Sequence, residues 1–209
     1  MLRSLVVLAV TATLLFIPLR GANAACDIAP FVGALVPTKT LLMVTSGSST
    51  LIRNQTHTVY GLGVGASFGK RFGAELVAGA GSGRIEVVGG TAIELASTLL
   101  MADLRGKVRI AGGDQSHIGV LGGIGYTTQK IGLFDFAKRT NAGEFKGKLT
   151  GVVGLTFGAA LSDRLHLSTE IVDRIREQGA VLTGTSTGLN EPTQHDVVIT
   201  AGLSFPLTK

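Results

Sequence analysis

Beyond residue 57 the chain alternates between bulky apolar residues and small or polar ones. In the first such run Thr58, Tyr60, Leu62, Val64, Ala66 and Phe68 occupy one parity, and Val59, Gly61, Gly63, Gly65 and Ser67 the other. A period of two places alternate side chains on opposite faces of a β-strand. The next run, from Phe72 to about Arg84, sets Phe72, Ala74, Leu76, Ala78 and Ala80 against Gly73, Glu75, Val77, Gly79 and Gly81. From Thr98, the apolar residues Leu100, Ala102, Leu104, Val108 and Ile110 alternate with Met101, Asp103, Arg105, Lys107 and Arg109. From His117, the series Ile118, Val120, Gly122, Ile124 and Tyr126 alternates with Gly119, Leu121, Gly123 and Gly125. The apolar parity then moves to odd numbers, in Leu149 to Ala159, Leu165 to Ile171 and Val197 to Phe205. An opening strand of ambiguous parity covers about Ile28 to Val36, which makes eight predicted strands.

The segments between these strands are unequal in a regular way. Residues 69–71, 111–115 and 162–164 are short enough for turns. Residues 37–56, about 86–95, 128–146 and 177–194 read as long loops. Short turns on one side and long loops on the other is the layout of an outer membrane barrel. Strands of about 9–13 residues are long enough to cross a bilayer at the usual tilt. The predicted fold class is therefore all-β, an eight-stranded antiparallel up-and-down transmembrane β-barrel. An even strand count puts both ends of the barrel on the short-turn side, the periplasm.

The placement of charge and aromatic residues tests this without having been used to build it. Glu75, Asp103, Arg105, Lys107, Lys148, Glu170 and Arg174 all fall on the small or polar face and form the expected charge network of the barrel interior. An Arg or Lys on the lipid face costs roughly 2–4 kcal/mol at the bilayer midplane. Asp173 and Arg84 have outward parity but sit near the long-loop end, where that cost falls away. Phe68, Phe72, Phe157 and Phe205 gather near the short turns, and Tyr60 and Tyr126 near the long loops, all facing outward. A soluble barrel has the opposite arrangement, with its large apolar residues inside.

Ahead of the strands, residues 1–24 carry Arg3, an apolar run from Leu5 to Leu19 and the small-x-small sequence Ala22-Asn23-Ala24. This is the pattern of a secretory signal peptide cleaved after Ala24. Residues 25–209 are then a single barrel domain. Cys26 follows the cleavage site, but Asn23 stands where a lipid-modified cysteine has Leu, so Cys26 is read as an unmodified thiol.

Composition narrows the field further. The chain has 209 residues with 30 Gly, one Cys and no Trp, and a mean hydropathy of +0.41. Only 16% of its residues are charged, too few for a disordered chain. The glycine content disfavours a helical bundle, and one Cys excludes a disulfide scaffold. The net charge of +5 falls to +3 once Arg3 and Arg20 leave with the leader. No basic cluster marks a nucleic-acid partner. Gly65-Ala66-Ser67-Phe68-Gly69-Lys70 is one residue short of a phosphate-binding P-loop. His57, His117, His166 and His195 lie on separate elements without partners at ligand spacing, so no metal and no cofactor is expected. The sequon Asn54-Gln55-Thr56 matters only in a glycosylating host.

With its leader, its opening Phe31-Val32-Gly33-Ala34-Leu35-Val36-Pro37-Thr38, its repeated Gly-x-Gly strands and its closing Gln194 to Phe205, the chain resembles the small OmpA-like outer membrane β-barrel proteins. The resemblance covers nearly all of residues 25–209. Family members often end on Phe, which the assembly machinery reads; here Pro206-Leu207-Thr208-Lys209 follow Phe205. The resemblance implies a monomer in the outer membrane of a Gram-negative-type bacterium, in contact with its lipids, including lipopolysaccharide, and with the barrel-assembly machinery.

Three functions are open at this point. The first is a non-enzymatic barrel with a structural or surface role, or a minor porin-like pore, in which the interior charges form structural ion pairs and the loops carry any binding. Its third loop holds Lys130, Lys138, Arg139 and Lys146, and its first the apolar Thr40-Leu41-Leu42-Met43-Val44. The second is a lipid-modifying enzyme. His166-Leu167-Ser168 with Glu170 resembles the His-x-Ser element of lipid A deacylases, although its parity points it into the lumen and away from lipid. The third is a soluble periplasmic ligand-binding barrel.

Overall fold

A computed structural model describes residues 24–38, 42–45, 49–89, 91–113, 115–132, 143–177 and 193–207. The rest of the expected signal peptide, residues 1–23, and the loop segments 133–142 and 178–192 lie outside the described residues.

Ten strands follow one another: β1 (Ala24–Pro37), β2 (Leu42–Thr45), β3 (Ser49–Asn54), β4 (His57–Phe68), β5 (Phe72–Gly89), β6 (Thr91–Gly112), β7 (Ser116–Gly132), β8 (Gly143–Ser162), β9 (Leu165–Glu177) and β10 (Thr193–Pro206). Eight of them form an antiparallel barrel in the order β1-β4-β5-β6-β7-β8-β9-β10. It closes where β1 pairs with β10, Ala34 opposite Ile199. Both barrel ends lie at the short turns: Ala24 pairs with Phe68, and Leu207 N–H donates to the Cys26 carbonyl.

The register fixes the bore. Crossing from strand to strand, Phe68 leads through Phe72, Val108, Val120, Leu155, Ile171, Ile199 and Ala34 back to Thr58. The circuit returns to β4 ten residues from its start, between positions 68 and 58. Such a stagger forces strands to tilt by about 35–45°, and eight strands enclose a space that side chains can fill. Register shifts interrupt the pairing at Arg109/Ala111, Thr127/Gln129 and Ala160/Ser162.

The three short turns fall where expected, the first at 69–71, while strand takes in residues 111–112 and 162 of the other two. Gly69 takes φ 65° in the β4–β5 turn, a conformation that costs most residues with a Cβ. Several strand ends differ from expectation. The eight barrel strands run 12 to 22 residues, each long enough to cross a bilayer. β1 begins at Ala24 rather than near Ile28, because its first residues find partners in Ala66, Ser67 and Phe68. The expected loop at 86–95 is mostly strand: β5 continues to Gly89 and β6 starts at Thr91. Ile85, Val87 and Val88 on β5 and Ile93 and Leu95 on β6 favour extended backbone, and these segments pair along their whole length. The expected loop 37–56 also contains a hairpin, β2–β3, whose second strand pairs with the end of β5, Asn54 opposite Ile85. β3 thereby continues the place of β4 beyond the break at Gln55-Thr56.

The two faces follow the sequence parity. Val32, Leu62, Leu104, Ile124, Leu149, Val153 and Ile199 are exposed on the outside, as are Tyr60, Tyr126, Phe72, Phe157 and Phe205 at its two rims. The inside is not only polar. Leu35, Val59, Leu99, Met101, Leu121, Val152, Val172 and Val198 form a buried apolar cluster in the lumen, with Phe31 packed against it.

Candidate functional site: the barrel lumen

Within a strand of the barrel, residues two apart share the inner face. Three such inner residues of β6, Asp103, Arg105 and Lys107, form the spine of an ion-pair chain. Lys107 Nζ lies 2.7 Å from Glu170 Oε1 on β9 and 2.9 Å from Glu75 Oε2 on β5. Arg105 donates to the other Glu170 oxygen at 2.8 Å and, through Nη2, to Asp103 Oδ2 at 2.5 Å. Arg174 on β9 donates to the same Asp103 oxygen, and its Nη2 donates to Thr127 Oγ1 at 2.7 Å. The Thr127 hydroxyl is in turn 3.3 Å from that of Thr150. The chain joins five strands across the bore.

Of the seven expected interior charges, Glu75, Asp103, Arg105, Glu170 and Arg174 are buried, Asp103 and Arg174 to 1% exposure each. Lys107 is half-buried and completes the chain. Lys148 is half-buried on β8 and stands outside this chain of ion pairs among the described residues. The sequence reading missed a second polar layer nearer the long loops. There Arg176 lies 3.0 Å from Asp196, Gln194 donates to Asp196 at 2.8 Å, and Gln129 donates to Ser97 at 2.8 Å. All have inner-face parity once β6, β7, β9 and β10 are given their full lengths, so the signal was present in the alternation.

The apolar side chains sit against the ionic chain. Phe31, Val77, Met101, Val172 and Val198 surround, with Glu75, Arg105 and Glu170, a void of about 20 Å³. That is room for one water. The lumen is therefore interrupted by an ionic layer and by an apolar one.

Between the ionic layer and the short turns, the lumen opens into a vestibule of about 320 Å³. His166 and Ser168 line it. Among the described residues no hydrogen bond joins them, and Ser168 Oγ makes only a 3.5 Å contact to the Gly202 carbonyl. The geometry expected of a nucleophile and its base is a direct hydrogen bond. No group of three or more His, Cys, Asp or Glu side chains with metal-holding geometry occurs among the described residues.

Glycines make this dense filling possible. The Glu75 carboxylate lies over Gly63, the Phe31 ring over Gly61 and the His57 ring over Gly83, where a Cβ would stand 2.6 Å from His57 Cγ. A large inner side chain thus occupies the place that its neighbour leaves empty. At the outer rim, the two outward charges are paired: Arg84 Nη1 with Glu94 at 2.6 Å, and Asp173 with His195 Nδ1 at 2.7 Å. Asn54 of the sequon is half-buried and accepts from Gln129 at 3.3 Å.

The fold and its filled lumen define the class of small eight-stranded up-and-down barrels. No family model matches the chain, and no curated protein does. Among solved structures the chain is similar to the outer membrane protein OprG from Pseudomonas aeruginosa. The identity is 15%, over 90% of this chain and 98% of that one, with a TM-score of 0.67. It is also similar to the outer membrane protein AlkL, solved in DMPC lipid bilayers, at 15% identity, over 90% of this chain and 93% of that one, with a TM-score of 0.51. The chain shares the barrel fold of these two outer membrane proteins.

Proposed function

We propose that this chain is a bacterial outer membrane β-barrel protein with a sealed lumen and a non-enzymatic structural or surface role. One observation carries the reading: the barrel is apolar outside and ionic inside. Leu149 is 77% exposed and Ile124 63%, whereas Asp103 and Arg174 are each 1% exposed. In water such an outer surface is a continuous apolar patch of the kind that associates or aggregates. In a bilayer it is the lipid-facing belt, bounded by Phe72, Phe157 and Phe205 at one rim and Tyr60 and Tyr126 at the other. The short-turn mouth then faces the periplasm, and the long loops face outward with lipopolysaccharide around them. A soluble periplasmic barrel fits poorly, because its exposed and buried faces would be exchanged. A deacylase fits poorly as well, because His166 and Ser168 face the lumen and not the lipid.

The ionic and apolar layers support a plug rather than a pore. Expression in a Gram-negative host tests location: the protein fractionates with the outer membrane and migrates faster unboiled than boiled. Recovery in the soluble periplasm overturns the reading. Planar-bilayer recording tests the seal, and sustained conductance steps from the unaltered protein overturn it.

A further inference from the structure

The vestibule at the short-turn mouth plays no part in the plug, yet its walls are chemically specific. It is a blind pocket, because Glu75 and Lys107 of the ionic layer form its inner end. Its volume of about 320 Å³ lies within the range of about 300–1,000 Å³ usual for small-ligand sites.

The balance of charge on its wall is basic. Lys70, Arg71, Lys107 and Arg109 line it, against two carboxylates, Asp27 and Glu75. Both carboxylates are already engaged, and Lys107 is engaged in turn by Glu75 and Glu170, so the excess of positive charge on the wall rests on Lys70, Arg71 and Arg109. Asp27 Oδ2 accepts from Ser204 Oγ at 2.6 Å, and Glu75 lies 2.9 Å from Lys107 Nζ.

The two histidines converge by register. His117 on β7 is paired with Gly158 on β8, and Gly158 with Ser168 on β9. The His117 ring lies over Gly158, in space that a side chain there would fill, and so leans toward β9. His166 stands two residues from Ser168 on the same inner face. Two imidazoles and a weakly engaged hydroxyl therefore face one space under a positive field. Imidazole N–H and hydroxyl O–H groups donate hydrogen bonds to oxygen ligands, and the Lys and Arg side chains on the same wall supply the positive charge that favours an oxyanion.

We infer that the vestibule is a binding site for a small oxyanion, of phosphate or phosphomonoester type, held by His117, His166 and Ser168. The ligand enters from the short-turn mouth, and the barrel wall separates it from lipid headgroups. The membrane orientation rests on the function proposed above, but binding does not, since it requires only the folded barrel.

The test uses the full barrel domain, labelled with ¹⁵N-histidine, in zwitterionic nanodiscs that contain no anionic lipid. Inorganic phosphate is the probe, with sodium chloride at matched ionic strength as the control. His57 and His195, at the opposite end of the barrel, are internal references. The expected result is a saturable shift of the His117 and His166 imidazole signals, with the other two unmoved. Calorimetry on H117Q/H166Q, checked for folding by its heat-dependent gel mobility, shows binding weakened at least about tenfold, a loss of about 1.4 kcal/mol. Signals that move equally with chloride, or equally at all four histidines, overturn the inference, as does unchanged phosphate affinity in the double variant. Should the variant fail to fold, the histidine signals of the unaltered protein decide alone. Failure to enter nanodiscs counts against the membrane reading; the same titration in detergent then still decides the site.

Discussion

Arg174 and Asp103 are 71 residues apart in sequence and form an ion pair inside the barrel, where Arg105 donates to the same carboxylate oxygen. Asp103 thus compensates Arg174 and shares Arg105 with Glu170, and both guanidinium groups have almost no access to water. Burying such charges is expensive, and taking away the Asp103 charge leaves Arg174 without its carboxylate while Arg105 keeps Glu170. D103N is expected to destabilise the barrel by about 3–5 kcal/mol. Urea titration followed by the folded and unfolded gel bands measures it, and a change below about 1 kcal/mol, the scale of an exposed pair, contradicts the structural role.

The two seals predict a dependence between substitutions. R105A removes the bridge between Asp103 and Glu170 but leaves Phe31, Val77, Val172 and Val198 closing the bore. M101A opens the apolar layer but leaves the ionic one. Neither single variant conducts in a planar bilayer, and M101A/R105A does. Conductance by R105A alone would place the whole seal in the ion pairs.

Depth in the bilayer predicts a gradient outside the barrel. Ile124 is 63% exposed in the middle of β7, and Leu161 is 57% exposed beside the β8–β9 turn. I124R is expected to cost about 2–4 kcal/mol and L161R about 0–1 kcal/mol. Equal costs, measured by unfolding from lipid vesicles, contradict a membrane belt centred on Ile124.

Gly69 isolates a backbone effect. A Cβ added there meets nothing within 4 Å, so only its φ of 65° matters. G69N is expected to be nearly neutral, because Asn tolerates the left-handed region. G69V is expected to cost about 1–2 kcal/mol, the penalty a Cβ incurs there. Matched urea midpoints for the two variants refute this account of the turn.

The faces of the strands were legible in the sequence because a period of two needs no tertiary information. Glu75 is an isolated charge on an otherwise small face, Asp103 and Glu170 share their faces with Arg105, Lys107 and Arg174, and in each case parity alone sends the charge inward. Their partners were not legible. Whether Glu170 meets Lys107 or Lys148 depends on the stagger of the circuit and on the irregularity at Thr127/Gln129, neither of which alternation encodes. The β5–β6 extension was missed for a local reason. Gly89-Gly90 and the charged Glu86 and Glu94 read as loop, while the pairing that holds Val87 opposite Ile93 is a property of two strands together. The apolar seal was overlooked for a different reason. Val77, Met101 and Val172 were visible on the inner parity, but the charges beside them dominated the reading.

The seating of Glu75 on Gly63 and of His57 on Gly83 limits how this lumen can change. Strand number and stagger set the perimeter, so the enclosed cross-section cannot swell or shrink to suit one residue. Volume inside is a conserved quantity, exchanged between adjoining strands. A glycine here can enlarge only if the neighbour resting on it gives up the same bulk, so the units of inheritance are pairs. G83A is a collision with His57, and G83A/H57A is expected to recover much of the loss.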